Sequence, residues 1–270
     1  MMLVNGVANG SIAPDDRGFC YGDGLFETIL FVRGRAPLWS RHMARLTESC
    51  ARLLLPAPDM DLIAREAAHA SAPFTRAVVR ITLTRGAGPR GYAIQHAAQI
   101  TRVVAAAPAP EIPADCYHCG IRMRLCALRL GEQPALAGIK HLNRLEQVLA
   151  RAEWIDEAID EGLLCDAQGR VIGATSANLF ALIDGRLVTP ALQRCGVAGV
   201  ARAEVLAQRA CEVRDLEMEE LLRADEVFLS NSVRGIIPVT ALDERRWSVG
   251  PVTRELQAHW RALRLIEDAA

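Results

Sequence analysis

The sequence predicts an α+β protein in two halves. Three observations carry that prediction. Strand-like and helix-like segments follow one another along all 270 residues without an internal repeat. A run with three prolines, Ala107-Pro108-Ala109-Pro110-Glu111-Ile112-Pro113, favours a stiff, extended connection near the middle of the chain. The length supports one large core or two smaller ones. We therefore expect an N-terminal domain over residues 1–106, a linker over 107–115 and a C-terminal domain over 116–270.

In the first half, Leu25 to Val32 has β character and ends at the turn signal Arg33-Gly34-Arg35. Ser40 is placed to cap a helix from Arg41 to about Leu55, which Pro56 terminates. A second helix is expected from Asp59 to Ala70, then a strand from Ala77 to Thr84. That strand runs into a basic, glycine-rich loop, Arg85 to Gly91, and another strand covers Ile100 to Ala106. Beyond the prolines, Gly120–Leu128 reads as a strand and Leu142–Ile155 as an amphipathic helix. Short strands are expected at Gly162–Asp166, Asn178–Ile183 and Leu187–Thr189, the last two joined through the Asp184-Gly185 turn. Gly199 opens a helix towards Arg209, Glu226–Leu229 is a strand, and a final helix runs from Val252 to Leu265.

The bulk properties exclude several functional classes. Thirty-one basic and 32 acidic residues give a net charge of −1, so no broad field draws the chain to nucleic acid or to a membrane surface. No apolar run is long enough to span a bilayer, and the first ten residues lack a basic region followed by an apolar stretch. A cytoplasmic enzyme is the expected class. The eight cysteines then read as thiols rather than disulfides. Cys116-Tyr117-His118-Cys119 has ligand-like spacing, but no second pair follows, and on a strand-like stretch its side chains diverge. No metal is expected.

One count is unusual. Lys140 is the only lysine among the 31 basic residues; the rest are arginines. Codon usage accounts for most of that excess, yet the chain has kept a single side-chain amine. Lysine can act as a neutral nucleophile or form a Schiff base, whereas arginine stays protonated. Gly196 to Arg202 is a glycine-punctuated loop opening a helix, whose free N–H groups suit an anion. Leu229-Ser230-Asn231-Ser232-Val233 offers further donors, and Arg41 and Arg45 lie one helical turn apart. An amine with a dianion cradle is what pyridoxal phosphate requires, although each piece also has a purely structural explanation.

Longer motifs carry a family resemblance. Asp16-Arg17-Gly18 with Tyr21-Gly22-Asp23-Gly24-Leu25-Phe26-Glu27-Thr28 resembles the N-terminal signature of the class IV, fold-type IV, pyridoxal-phosphate enzymes. Leu136 to Gln147, around Lys140, is similar to the aminodeoxychorismate lyases of that family, as is the loop Arg85 to Tyr92. The resemblance implies a smaller N-terminal α/β sandwich, a larger barrel-like C-terminal domain and a homodimer. It also implies a reaction: elimination of pyruvate from 4-amino-4-deoxychorismate to give p-aminobenzoate for folate biosynthesis, on substrate supplied by aminodeoxychorismate synthase. Two alternatives stand beside it, an aminotransferase of branched-chain or D-amino acids and a catalytically silent cofactor-binding paralogue.

By the same resemblance, Lys140 joins the cofactor and moves protons. Arg45, the N–H groups of Val200 and Ala201, and Ser232 with the Val233 N–H hold its phosphate, while Asn178 lies on a strand beside it. Arg85 or Arg90 meets a substrate carboxylate, and Tyr92 lines the pocket. His141 is expected to pack rather than to act as an acid or base. One departure stands out. The family places a glutamate five residues before the asparagine of Ser176-Ala177-Asn178, opposite the cofactor's pyridine nitrogen, and here that position is Gly173. We expect Gly173 to be tolerated in elimination, which aromatisation drives, and to be harmful to transamination.

Overall fold

Alternation along the first third of the chain builds an antiparallel sheet covered by helices on one face. In this computed structural model, which describes residues 1–94 and 99–266, the first unit comprises residues 1–110 together with 139–143. Its elements are β1 (Met2–Val4), β2 (Val7–Ala8), α1 (Arg17–Tyr21), β3 (Gly24–Val32), α2 (Trp39–Arg52), α3 (Met60–Ser71), β4 (Arg76–Thr84) and β5 (Thr101–Pro108). The strand order is β2-β1-β5-β4-β3, with every neighbouring pair antiparallel. Leu25, Ile29 and Phe31 of β3, Val79, Ile81 and Leu83 of β4, and Val104 of β5 point to the same face. There they pack with Leu46 and Cys50 of α2 and Ile63 and Ala67 of α3.

Three expectations change here. Helix α2 begins at Trp39 with Leu38 at the cap position and no side-chain cap bond, so Ser40 sits inside the first turn. By contrast Asp59 caps α3, accepting from the Leu62 N–H at 2.9 Å. Strand β5 runs on through Pro108, into the expected linker. Finally, residues 139–143 belong to this unit rather than to the C-terminal one. They lie along the edge of β3, with Phe26 N–H donating to Lys140 O and Leu142 N–H to Gly24 O, both at 3.0 Å.

The second unit comprises residues 111–138 and those from 144 onward. It contains α4 (Ala114–His118), β6 (Ile121–Leu130), α5 (Leu145–Arg151), β7 (Glu161–Asp166), β8 (Val171–Ala174), β9 (Asn178–Ile183), β10 (Arg186–Pro190), α6 (Val200–Gln208), β11 (Glu212–Arg214), α7 (Met218–Arg223), β12 (Glu226–Asn231), β13 (Gly235–Leu242), β14 (Arg245–Arg246) and α8 (Pro251–Ala262). The strand order is β11-β10-β9-β12-β13-β6-β7-β8, with β14 on β13. Strand β8, at one end of that order, contacts β9 and β10, so the sheet curls towards closure as the barrel-like expectation requires.

Local chemistry sets several of these elements. Asp184 and Gly185 both have positive φ, 49° and 74°, and close the two-residue hairpin between β9 and β10. The Phe180 and Phe228 rings stack at 5.0 Å across β9 and β12 inside the core. Glu226 caps α8 by accepting from the Val252 and Thr253 N–H groups. The expected helix from Leu142 to Ile155 is shorter, because its first residues are held by β3. Cys116 and His118 lie on α4, not on a strand. Among the described residues, no group of three or more His, Cys, Asp or Glu side chains is arranged to hold a metal ion.

Candidate active site

The first unit carries the amine. Lys140 sits on the segment that extends the β3 edge, and side-chain alternation sends its neighbour Ile139 into the helix-covered core. The Lys140 Nζ lies 4.1 Å from the centroid of the Phe26 ring, and the Arg80 guanidinium carbon lies 3.9 Å from the same centroid. Phe26 is on the sheet face away from the helices, yet it is buried. The ring thus gives the amine an apolar, electron-rich seat and holds it near one position.

On the helix-covered face, Glu27 is 1% exposed and carries a buried charge. Arg45 of α2 meets it through Nε at 2.8 Å and Nη2 at 2.5 Å, and His42 Nδ1 lies 2.6 Å from Oε2. Burial alone would raise the Glu27 pKa, but the His42 hydrogen bond and the Arg45 charge outweigh it and hold the carboxyl below its ordinary value. Burial lowers His42; the hydrogen bond and charge of Glu27 oppose this without overcoming it, and the Arg45 and Lys140 charges push the same way as burial.

The glycine-rich loop separates the two candidate arginines. Arg85 is buried; its Nε and Nη2 donate to Asp23 at 2.8 and 3.0 Å, and its remaining donors reach Leu53 O and Leu54 O at 2.7 and 2.8 Å. Four of its five N–H groups are engaged inside the unit and its side chain is buried, which speaks against the expectation that it meets a substrate carboxylate. Arg90 is exposed on the loop, and Tyr92 is also exposed, its ring 5.5 Å from that of Tyr21. The N-terminal signature braces this loop: Arg17 bonds Asp23 at 2.9 Å and Gly91 O at 2.8 Å, and Asp16 accepts from Thr84 Oγ1 at 2.9 Å.

The second unit carries an anion cradle. Helix α6 starts after Gly199 with no side-chain cap and no acidic residue in its first turn, so the Val200 and Ala201 N–H groups lack intrahelical acceptors. Asn178 fixes this helix start, donating from Nδ2 to Val197 O at 2.9 Å and accepting from the Gly199 N–H at 3.1 Å. A Cβ at Gly199 would lie 2.0 Å from Asn178 Oδ1, so only glycine allows this approach. Ser230 is directly opposite Asn178 on β12; it is 2% exposed, and its Oγ has no hydrogen-bond partner among the described residues. A buried hydroxyl without a partner marks a place for a polar ligand. The Val233 N–H, expected in the cradle beside Ser232, instead donates to Asn231 Oδ1 at 2.8 Å in the turn after β12.

Residues 24–242 match the family Amino-transferase class IV. The chain belongs to the class IV aminotransferase family. Its class IV relatives include the crystal structure of 4-amino-4-deoxychorismate lyase from Pseudomonas aeruginosa, with a TM-score of 0.93 and 46% identity, covering 97% of this chain and 98% of that one. An aminodeoxychorismate lyase from Vibrio harveyi is 35% identical over 96% of this chain and 99% of its own length. A putative branched-chain-amino-acid aminotransferase from Methanocaldococcus jannaschii is 29% identical over 95% and 92%.

The donor set of this class IV chain fits pyridoxal phosphate. It offers one side-chain amine, Lys140, a helix start with no acidic residue in its first turn, and a buried hydroxyl, Ser230, without a hydrogen-bond partner among the described residues. Sequence reading missed Phe26 and Arg80 beside Lys140 and Glu27 beneath Arg45, and it named Ser230 only within a run of further donors. The Glu27–Arg45 pairing joins residues 18 apart on different elements, and no local pattern encodes it.

Proposed function

We propose that this chain is a pyridoxal-phosphate-dependent carbon–oxygen lyase that eliminates pyruvate from 4-amino-4-deoxychorismate and leaves p-aminobenzoate. The observation that carries this reading is the single amine of the chain seated over Phe26 on the β3 edge, in a sequence related over nearly its whole length to two such lyases. Bound pyridoxal phosphate supplies an electron sink for the carbon that bears the substrate's amino group.

The chain's own residues supply the rest. Lys140 takes the proton from that ring carbon, and Phe26 limits where its amine can stand. As the enolpyruvyl oxygen leaves the neighbouring carbon, the ring becomes aromatic, and the departing enol takes up a proton to become pyruvate. The Val200 and Ala201 N–H groups, Ser230 and Ser232 hold the phosphate. The family resemblance gives Arg45 the same role, and Glu27 orients it. Arg90 takes a substrate carboxylate, with Tyr92 beside it on the loop.

The same reading includes a homodimer, and α5 is the surface we assign to it. Leu145, Val148 and Leu149 follow helical spacing and are 74%, 59% and 60% exposed, an apolar stripe that water does not favour. Aminodeoxychorismate synthase is the proposed source of substrate.

The test is p-aminobenzoate formation from freshly generated aminodeoxychorismate with added pyridoxal phosphate, run beside Lys140→Ala. We expect product from the wild type and none from the variant. A wild type that retains cofactor and yields no product overturns the lyase.

A further inference from the structure

Gly173 leaves β8 without the acid that the family resemblance implies at that position, and a carboxylate stands one hydrogen bond further away. Thr175 follows two residues later, in the bend that joins β8 to β9. The Thr175 hydroxyl donates to Oε1 of Glu161, the first residue of β7. Ser176 donates to Oε2 of the same carboxylate at 2.6 Å, and the Gly162 N–H reaches Oε1 at 3.0 Å. Glu161 is 3% exposed, and Arg234 Nη1, 3.8 Å away, is the cation paired with it.

A threonine hydroxyl has one proton. With that proton held by an ionised carboxylate, Oγ1 presents only lone pairs to anything else, so whatever meets it must be a donor. Thr175 is half-buried, so its oxygen is not sealed off.

We propose that Thr175, polarised by Glu161, replaces the missing acid as the acceptor for a protonated pyridine nitrogen. Thr175 is the contact and Glu161 the positioning residue. This inference rests on the pyridoxal-phosphate reading above. The charge of Glu161 acts through an intervening hydroxyl, so it favours the protonated ring less strongly than a carboxylate in direct contact would. The resulting electron sink is weaker, which suits an elimination driven by aromatisation better than exchange of amino groups.

Cofactor labelled with ¹⁵N at the ring nitrogen, reconstituted into the full chain, reports that protonation by its NMR shift. We expect the wild type to show the protonated shift. Glu161→Gln, which keeps the shape and removes the charge, and Thr175→Val should both move it towards the free-base value, and Thr175→Ser should restore it. Ser176→Ala touches the same carboxylate and should leave the shift in place, which separates a charge effect from simple packing. A free-base nitrogen in the wild type, or variants indistinguishable from it, overturns the proposal. Should Thr175→Val fail to fold, the wild-type shift and Thr175→Ser still decide. A wild type that shows no Lys140-dependent cofactor absorbance overturns the cofactor reading, and this inference with it.

Discussion

Arg45 on α2 meets Glu27 on β3 fork to carboxylate, through Nε at 2.8 Å and Nη2 at 2.5 Å. The direction of a cation assigned to the cofactor phosphate is therefore set by a strand rather than by its own helix. Glu27→Ala leaves Arg45 and His42 facing an apolar interior. It should cost about 3–5 kcal/mol of stability, as breaking a buried ion pair does, read by urea denaturation. Glu27→Gln should keep more of the fold and still weaken cofactor retention. Unchanged retention would show that Arg45 needs no brace.

Acid should destabilise the chain in two steps. His42 is lowered from 6.5, chiefly by burial, so the unfolded chain takes its proton first as pH falls through 6.5. The unfolded state then binds more protons, and stability declines until pH passes below the folded-state value. Glu27, lowered from 4.5, adds a second loss beneath 4.5, and both contributions are complete above 6.5. Urea titrations at a series of pH values should show the upper step vanish in His42→Gln. An upper step that persists in that variant assigns it to another group.

The two loop arginines should separate cleanly. Arg85→Ala leaves Asp23 with Arg17 alone and takes this donor from the Leu53 and Leu54 carbonyls, and should lower stability by about 1–3 kcal/mol. Arg90→Ala should leave the thermal midpoint unchanged and raise KM by about 10–100-fold, the worth of a charge-assisted hydrogen bond to substrate. A normal KM in Arg90→Ala sends the carboxylate to a different residue.

Gly199→Ala pushes a methyl into Asn178 Oδ1 and displaces the clamp at the start of α6. The expected result is a loss of about 1–3 kcal/mol from unsatisfied polar groups, with cofactor released more readily on dialysis. Cofactor affinity equal to wild type would show that the helix start plays no part in holding it.

Leu149→Glu places a charge in the exposed stripe of α5. Sedimentation should find a dimer in the wild type and a monomer in the variant. A wild type that sediments as a monomer removes self-association from the proposed function.

Much of the architecture was legible in short stretches. The apolar alternation of β3, the Asp184-Gly185 hairpin and the glycine start of α6 are local patterns with local causes, and the lone lysine lies on the segment that pairs with the β3 edge. What stayed hidden depends on distant partners. Strand β13 lies in the middle of its sheet, yet it opens with Gly235 and contains Pro238, two residues that disfavour a central strand. The stripe Leu145, Val148 and Leu149 reads as a buried helix face, but those side chains are exposed within this single chain. Arg85 and Arg90 are equivalent in sequence terms, and only the carbonyls of Leu53 and Leu54 and the carboxylate of Asp23 tell them apart.

Residues 139–143 leave one unit, pair with an edge strand of the other, and return. Chain order and compact unit therefore part company at the segment that carries Lys140. A gene cut at the Pro110–Glu111 boundary yields no transferable module, because Lys140 travels with the fragment that cannot seat it. Recombination that swaps halves between relatives must also carry a matched β3 edge, so the halves are bound to diverge together.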